Sequence, residues 1–455
     1  MVKLKVGLEI HAYLSTNEKL FCRCKVSRER GLQPNIYICP ICCGMPGAKP
    51  MAPNSNAIQK AIQIALILGC KINNSIPWMR KHYDWSDLPK GYQNTMSGPH
   101  ATPLGVSGNF EGINIESMHV EEDPASWDPK TGAVDYNRSG LPLVEIVTAP
   151  EFKSADEVYY WVNKLVHALS YLKSIDTNAG IKADVNVSLI EEDGKQKTER
   201  VEIKNITSIG AMKLAVLFEH ERQLKEGSVR ETRRFDEAKG ITMHMRGKEM
   251  ADDYRFIVDP DLSSVVLSKK LIEEQRKMIP ELPSVKLSRL IKKYKISPKD
   301  AAVLARDIDI VLFFEIVAKN VRTGLALPWV TVELFRVLNY NNKKFSEVDI
   351  SVEDFVKLLT LVDKGKITES QAKQILNKFV PKSFDPSNVE GKISGRKELT
   401  PVIRKVIDSN KKVVVDYLRG DLRSLNFLIG EVMRATNRRA DSAVAKNLLE
   451  EMLKE

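Results

Sequence analysis

The stretch VKLKVGLEIH, residues 2 to 11, alternates Val2, Leu4, Val6, Leu8 and Ile10 with Lys3, Lys5, Gly7, Glu9 and His11. A period of two belongs to a strand whose side chains point alternately to its two faces. The segment therefore predicts a strand with one buried face, and Glu9 and His11 share the other.

Working outward, Ala183, Val185, Val187 and Leu189 alternate with Asp184, Asn186 and Ser188, and the charged turn EEDGKQKTE (191–199) leads into RVEIKN. That pattern predicts a hairpin. LPLVEIV (141–147) reads as a strand buried on both faces, with Glu145 inside it. A buried carboxylate costs several kcal/mol unless it is paired or protonated, so a metal ion or Arg138 is expected beside it. Between these strands Ser154 and Glu157 form a capping box, followed by Val158, Trp161, Val162, Leu165, Leu169 and Leu172 at helical spacing. SNAIQKAIQIALILGC (55–70) reads as another helix ending on a core cysteine, Cys70. From about Leu287 short helical segments such as SPKDAAVLARDI and SVEDFVKLLTLVDKG take over. The fold class is α+β: a sheet-rich domain over residues 1–290, a helical domain over 291–400 and a small helical module over 401–455.

Four of the six cysteines form two close pairs, Cys22 with Cys24 in LFCRC and Cys39 with Cys42 in ICPICCG. Spaced this way on turns, with Pro40 and Gly44 shaping the second, they predict a structural zinc knuckle at about residues 20–45. Cys43 is an alternative to Cys42 as ligand.

The 455 residues are 43% apolar, enough for two or three domains with their own cores. Lys and Arg exceed Asp and Glu by 69 to 59, a balance that suits a polyanionic partner such as nucleic acid. No apolar run reaches the ~18–20 residues of a membrane span, and the chain reads as cytoplasmic. The Walker A, G-x-G-x-x-G and G-x-S-x-G patterns are absent, as is an amidase Gly-Ser-Ser run. What remains for chemistry is carboxylates and a histidine, most densely in HVEED (119–123).

GLEIHAYL (7–14), KLFCRC, CPICCGMPG, RKHYDWSDLPKGYQ (80–93), HVEED, DYNRSGLPLVEIV, DVNVSL, EIKNITS, ETRRFD and MRGKEMADDYRF occur in order. Together with the ending FLIGEVMRATNRRAD, they resemble the B subunit of the tRNA-dependent amidotransferases of the GatCAB type. The resemblance implies a mixed or antiparallel "cradle" sheet with the zinc knuckle, a helical domain, and a YqeY-like tail that binds tRNA. It also implies a reaction. The side-chain carboxylate of mischarged Glu-tRNA(Gln) or Asp-tRNA(Asn) is phosphorylated with ATP and Mg2+. Ammonia from an amidase A subunit then displaces the phosphate, with a small C subunit completing the heterotrimer. The synthetase that mischarges the tRNA is a further implied partner.

Carried over by motif, the magnesium ligands are Glu9, His11, Glu122 and Glu145, with Glu121 a neighbour. The zinc ligands are Cys22, Cys24, Cys39 and Cys42. Lys90 is implied at the reaction centre, and Tyr92, Gln93, Lys204, Asn205 and Arg246 at the nucleotide, with Asn186 and Lys248 nearby. Magnesium prefers oxygen ligands, so His11 is expected to act through water or to favour manganese. Some positions depart from the family. The acidic triplet is followed by Pro124-Ala125-Ser126 where Ala-Gly-Lys is common. Lys182, Ala183 and Arg438 replace arginine, cysteine and glycine. Two other readings are an archaeal E-type subunit, which normally carries a large inserted domain, and a non-catalytic zinc-bearing tRNA-binding scaffold.

Overall fold

A computed structural model describes residues 2–27, 31–177, 179–247 and 255–454. The alternating segment becomes the strand Lys3–Tyr13, which takes a central place in a twelve-stranded mixed sheet. Along its main path the strands follow the order Ile241–Gly247, Glu231–Asp236, Val201–Ile206, Ile181–Ile190, Lys3–Tyr13, Pro142–Thr148, Ile113–Glu122, Tyr92–Thr95, Met79–His82 and Arg255–Val258. Neighbours on this path are antiparallel except Val201–Ile206 with Glu231–Asp236. The predicted hairpin is present, with Val185 opposite Ile203 and Asn186 opposite Glu202.

Register fixes the two faces. Val6 lies opposite Val187, Leu8 opposite Val185, Ile10 opposite Ala183 and Ile146, and Ala12 opposite Val144. All of these are fully buried. With residues of the helices Ser55–Ile67, Ala155–Tyr171 and Ile209–Glu226 they make one core. Burying each Leu, Ile or Val there contributes about 1.5–3 kcal/mol. On the other face the same pairings put Glu9 opposite Asp184 and Val147, and His11 opposite Lys182 and Glu145.

The helix Ala155–Tyr171 starts as its sequence requires, Ser154 Oγ accepting from the Glu157 N–H. The second half of the expected box differs: Glu157 Oε2 accepts from Lys153 N–H at 2.7 Å, one residue earlier than a capping box places it. Trp161 anchors the buried side, its Nε1–H donating to the Phe110 carbonyl at 2.8 Å.

The chain divides into compact units at Leu282/Pro283. The second unit contains helices and two separate apolar clusters, one from Leu290 to Phe379 and one from Leu399 to Leu453. Leu399 and Ile403 of the last cluster lie on the helix Arg396–Ser409, which runs through the expected boundary at 401. Among the described residues, no helix is long and apolar enough to cross a membrane.

Replacing Ser154 by alanine removes the one side-chain cap of a core helix, and the expected cost is about 1 kcal/mol. Urea denaturation should show a lower midpoint at unchanged slope.

Candidate functional site

The sheet carries three polar groups, two of them on the face of Glu9 and His11. In the first, His11, Glu121 and Glu145 bring one ligand atom each within 4.8 Å of one another. His11 Nε2 is 3.2 Å from Glu145 Oε2. His119, directly opposite Glu145 across the strand pair, brings its Nε2 to 3.4 Å from the same oxygen and 3.9 Å from Glu121 Oε2. Burial disfavours every charge here, yet Glu145 is held well below the usual carboxylate range because two imidazoles face it. Burial alone would lower His11, but the hydrogen bond and charge of Glu145 outweigh it and push it up to about 9. Glu121 moves the other way, raised by burial and by the Glu145 charge.

In the second group Glu9, Asp184 and Glu202 also lie within 4.8 Å. Lys204 Nζ meets Asp184 Oδ2 at 3.0 Å and Glu202 Oε2 at 3.8 Å, so an ammonium already faces these carboxylates. Asn186 Nδ2–H donates to Glu9 Oε1 at 3.0 Å. A register shift between Ala183 and Val185 brings the Asn205 N–H within 2.8 Å of Asp184 Oδ1, with Asn205 at φ +55°. Asparagine tolerates that left-handed conformation better than most residues.

The third group centres on Glu122. Lys90 Nζ donates to Glu122 Oε1 and, at 2.9 Å, to Asn94 Oδ1. The Asn94 N–H reaches Glu122 Oε1 at 2.9 Å, and Gln93 Nε2–H reaches the Glu122 carbonyl at 2.8 Å. Behind them Arg80 binds Asp259 through two nitrogens, at 2.9 and 3.2 Å, and lies 4.5 Å from the Tyr92 ring centre.

This geometry separates the expected magnesium ligands. His11 and Glu145 come together, Glu9 falls in the second group, and Glu121 rather than Glu122 completes the first. Alternation is the cause: Met118 and Val120 face the core, so His119 and Glu121 share the face of Glu145 while Glu122 turns the other way. Arg138 does not relieve Glu145. Its guanidinium is taken by the Pro124 carbonyl at 3.0 Å, Asp123 at 3.3 Å and Asp87 at 3.7 Å. Lys90, Tyr92 and Gln93 lie in the third group and Lys204 and Asn205 in the second. Arg246 is on the strand Ile241–Gly247, with its side chain outside the described residues, as Lys248 is entirely. Sequence reasoning missed His119, Glu202, Asn94, Arg80 and Asp259. Register in the hairpin signals Glu202, but nothing local links Asn94 to Asp259, 165 residues away.

The cysteines converge as their spacing predicts. Cys22, Cys24, Cys39 and Cys42 lie within 4.8 Å, the Cys42 Sγ being 3.9 Å from that of Cys39 and 4.0 Å from that of Cys24. The turn is closed by Cys43 N–H to the Cys39 carbonyl at 3.0 Å, and Cys43 is outside the four. A hydrogen bond from Cys22 and the nearby Lys19 ammonium favour the Cys42 thiolate. Four sulfurs so disposed can hold zinc with no open position, a structural site.

Residues 4–273 match the family model of the GatB/GatE catalytic domain, and residues 312–453 match that of the GatB domain. A Methanocaldococcus jannaschii protein is 41% identical, over 99% of this chain and 98% of its own length. One from Methanothermobacter thermautotrophicus is 40% identical over 99% and 100%. One from Methanopyrus kandleri is 39% identical over 100% and 99%. Each is named as the B subunit of an aspartyl/glutamyl-tRNA(Asn/Gln) amidotransferase.

If zinc ties the knuckle, Cys39→Ser should lose bound zinc by metal analysis and lower thermal stability and soluble yield. Wild-type protein purified without zinc, its four thiols titrating freely under native conditions, would contradict the assignment.

Proposed function

Because the chain belongs to the GatB/GatE family, we propose that it activates the side-chain carboxylate of tRNA-bound glutamate or aspartate by phosphorylation with ATP, for amidation by ammonia. The observation that carries this reading is the cluster of His11, His119, Glu121 and Glu145 on one sheet face. A phosphoryl transfer needs positive charge around the transferred group and an attacker held in line. His11, Glu121 and Glu145 form a donor set that fits a divalent cation. When bound, such an ion offsets phosphate charge and orients the reacting oxygens.

The chain's own residues supply the rest. Lys90 places an ammonium, held by Glu122 and Asn94, where it can exchange a carboxylate for a phosphate oxygen. Arg80 and Asn94, both tied to Asp259, fix the strand pair Met79–His82 and Tyr92–Thr95, into which the loop bearing Lys90 leads. Lys204 pairs with Asp184 and Glu202 beside Glu9, so this second group already carries its own cation.

The relatives' name makes them one subunit of a larger enzyme, and this chain lacks amidase motifs, so ammonia comes from a partner A subunit, with a C subunit completing the complex. Alignment over nearly the whole length of those relatives favours a B-type over an E-type subunit, and the buried catalytic-type groups favour an enzyme over a scaffold.

The C-terminal cluster serves tRNA binding in this reading. The helix Arg396–Ser409 lines a groove of about 630 Å³ with Lys397, Arg404 and Lys405. Arg423 is almost fully exposed. Arg438 and Arg439 are engaged internally, with Ser370 Oγ and Glu390 respectively, and Arg434 and Lys446 lie beside Glu431 and Glu450.

Glu145→Gln should cut ATP-dependent phosphorylation of charged tRNA by about 10²-fold or more, the scale of one lost electrostatic contact to a transition state. Glutaminase activity of the assembled complex should stay near wild type; near-normal amidated tRNA from this variant would refute the proposal.

Arg404→Glu with Arg423→Glu should raise KM for charged tRNA without changing kcat. The dependence of affinity on salt should become shallower by roughly one per lost phosphate contact. Arg439→Ala should instead act mainly on stability.

A further inference from the structure

His119 is the residue the geometry leaves unexplained. It is only 2% exposed, and neither ring nitrogen has a hydrogen-bond partner among the described residues. Leaving a buried polar group unsatisfied forfeits its hydration, and native proteins rarely tolerate it without a use for the group. An apolar side chain would fill the position more cheaply. The imidazole is instead aimed into the first group, its Nε2 3.4 Å from Glu145 Oε2 and 3.9 Å from Glu121 Oε2, while His11 Nε2 approaches that same Glu145 oxygen at 3.2 Å. The two His119 separations are long for hydrogen bonds. They suit atoms that share an ion, since ligands about 2.1 Å from an octahedral centre stand roughly 3 Å apart when adjacent and farther when opposite. The neighbouring group does not have this character, because Lys204 already lies against Asp184 and Glu202.

We propose that His119 is a direct ligand of the divalent cation, and that two imidazole nitrogens with two carboxylates make the site select manganese over magnesium. This rests on the reading of the polar face as a cation site. Magnesium takes oxygen ligands and keeps several waters, whereas manganese, a first-row transition ion that shares its taste for carboxylates, accepts imidazole nitrogen beside them. One histidine is compatible with either ion. Two converging on one carboxylate, with a second carboxylate beside them, shift the balance toward manganese.

The test uses the full-length chain with MnCl2 or MgCl2 alone, no nucleotide and no tRNA. Pulsed electron paramagnetic resonance of bound Mn2+ should show coupling to two imidazole nitrogens in the wild type and to one in His119→Gln and in His11→Gln. Calorimetric titration of His119→Gln should show Mn2+ affinity reduced by about 10–100-fold, the range for disturbing one metal-site interaction, and Mg2+ affinity changed far less. Zinc content and circular dichroism establish that the variant is folded. A single nitrogen coupling in the wild type, or an unchanged preference for Mn2+ in folded His119→Gln, overturns the role of His119. Binding of neither ion to the wild type overturns the cation site as well. Two nitrogens in a complex that fails to phosphorylate charged tRNA sustain the inference and refute the proposed function instead.

Discussion

The central place of the strand Lys3–Tyr13 is the constraint on which the first unit depends. Paired along Pro142–Thr148 on one edge and Ile181–Ile190 on the other, it has no freedom to slip, because a shift of one residue would exchange its apolar and polar sets. Burial of Leu4, Val6, Leu8, Ile10 and Ala12 therefore fixes where Glu9 and His11 stand. Both neighbouring strands obey the same rule, so Glu145, Asp184 and Asn186 are carried to the same face by the packing of Val144, Ile146, Ala183, Val185 and Val187. The site is a by-product of core registry, which is why its groups are rigidly placed.

That placement is unfavourable taken alone. Glu121, Asp184 and Glu202 are buried, and each carboxylate removed from water needs a partner. The sheet answers differently along its width. Lys204 neutralises the second group, Lys90 meets Glu122, and Arg80 meets Asp259, all as ammonium or guanidinium against carboxylate. Around Glu145 the partners are imidazoles, whose neutral form can yield to a metal. A fixed ammonium would close such a site, so a permanent charge at His11 or His119 would stabilise the fold while removing the capacity to bind.

Much of this was legible in the chain. The alternation of residues 2–11, the hairpin after Leu189, the helix after Ser154 and the cysteine pairs each rest on local spacing, and each reads directly. Motif resemblance brought Glu9, His11, Lys90 and Glu145 into view together. It did less well at resolving HVEED, where consecutive acids point to opposite faces and only the strand's phase distinguishes them. Val120 carried that phase, since an apolar residue on the core side puts Glu121 with Glu145. His119 was hidden for another reason: a histidine in an acidic run looks like part of a solvated segment until the fold shows it buried. The pairing of Asn94 with Asp259 had no local signature at all, because it depends on where the Arg255–Val258 strand joins the sheet.

The cysteine cluster belongs to the same mechanical system. Gly44, at φ +67°, packs its backbone against the Pro89 carbonyl so closely that a Cβ would collide with it. Pro89 immediately precedes Lys90. On its other side the knuckle holds Ser139, whose hydroxyl donates to the Cys42 carbonyl at 2.7 Å, in the turn that leads to Leu141 and the strand of Glu145. Lys19, fully buried, bridges the two by donating to the Tyr136 carbonyl at 2.9 Å while lying beside Cys42. The cysteine cluster thus buttresses both the loop that presents Lys90 and the turn that enters the Glu145 strand. A structural ion there would act on the chemistry through backbone position, holding a cationic side chain and a carboxylate strand at a set spacing without touching either.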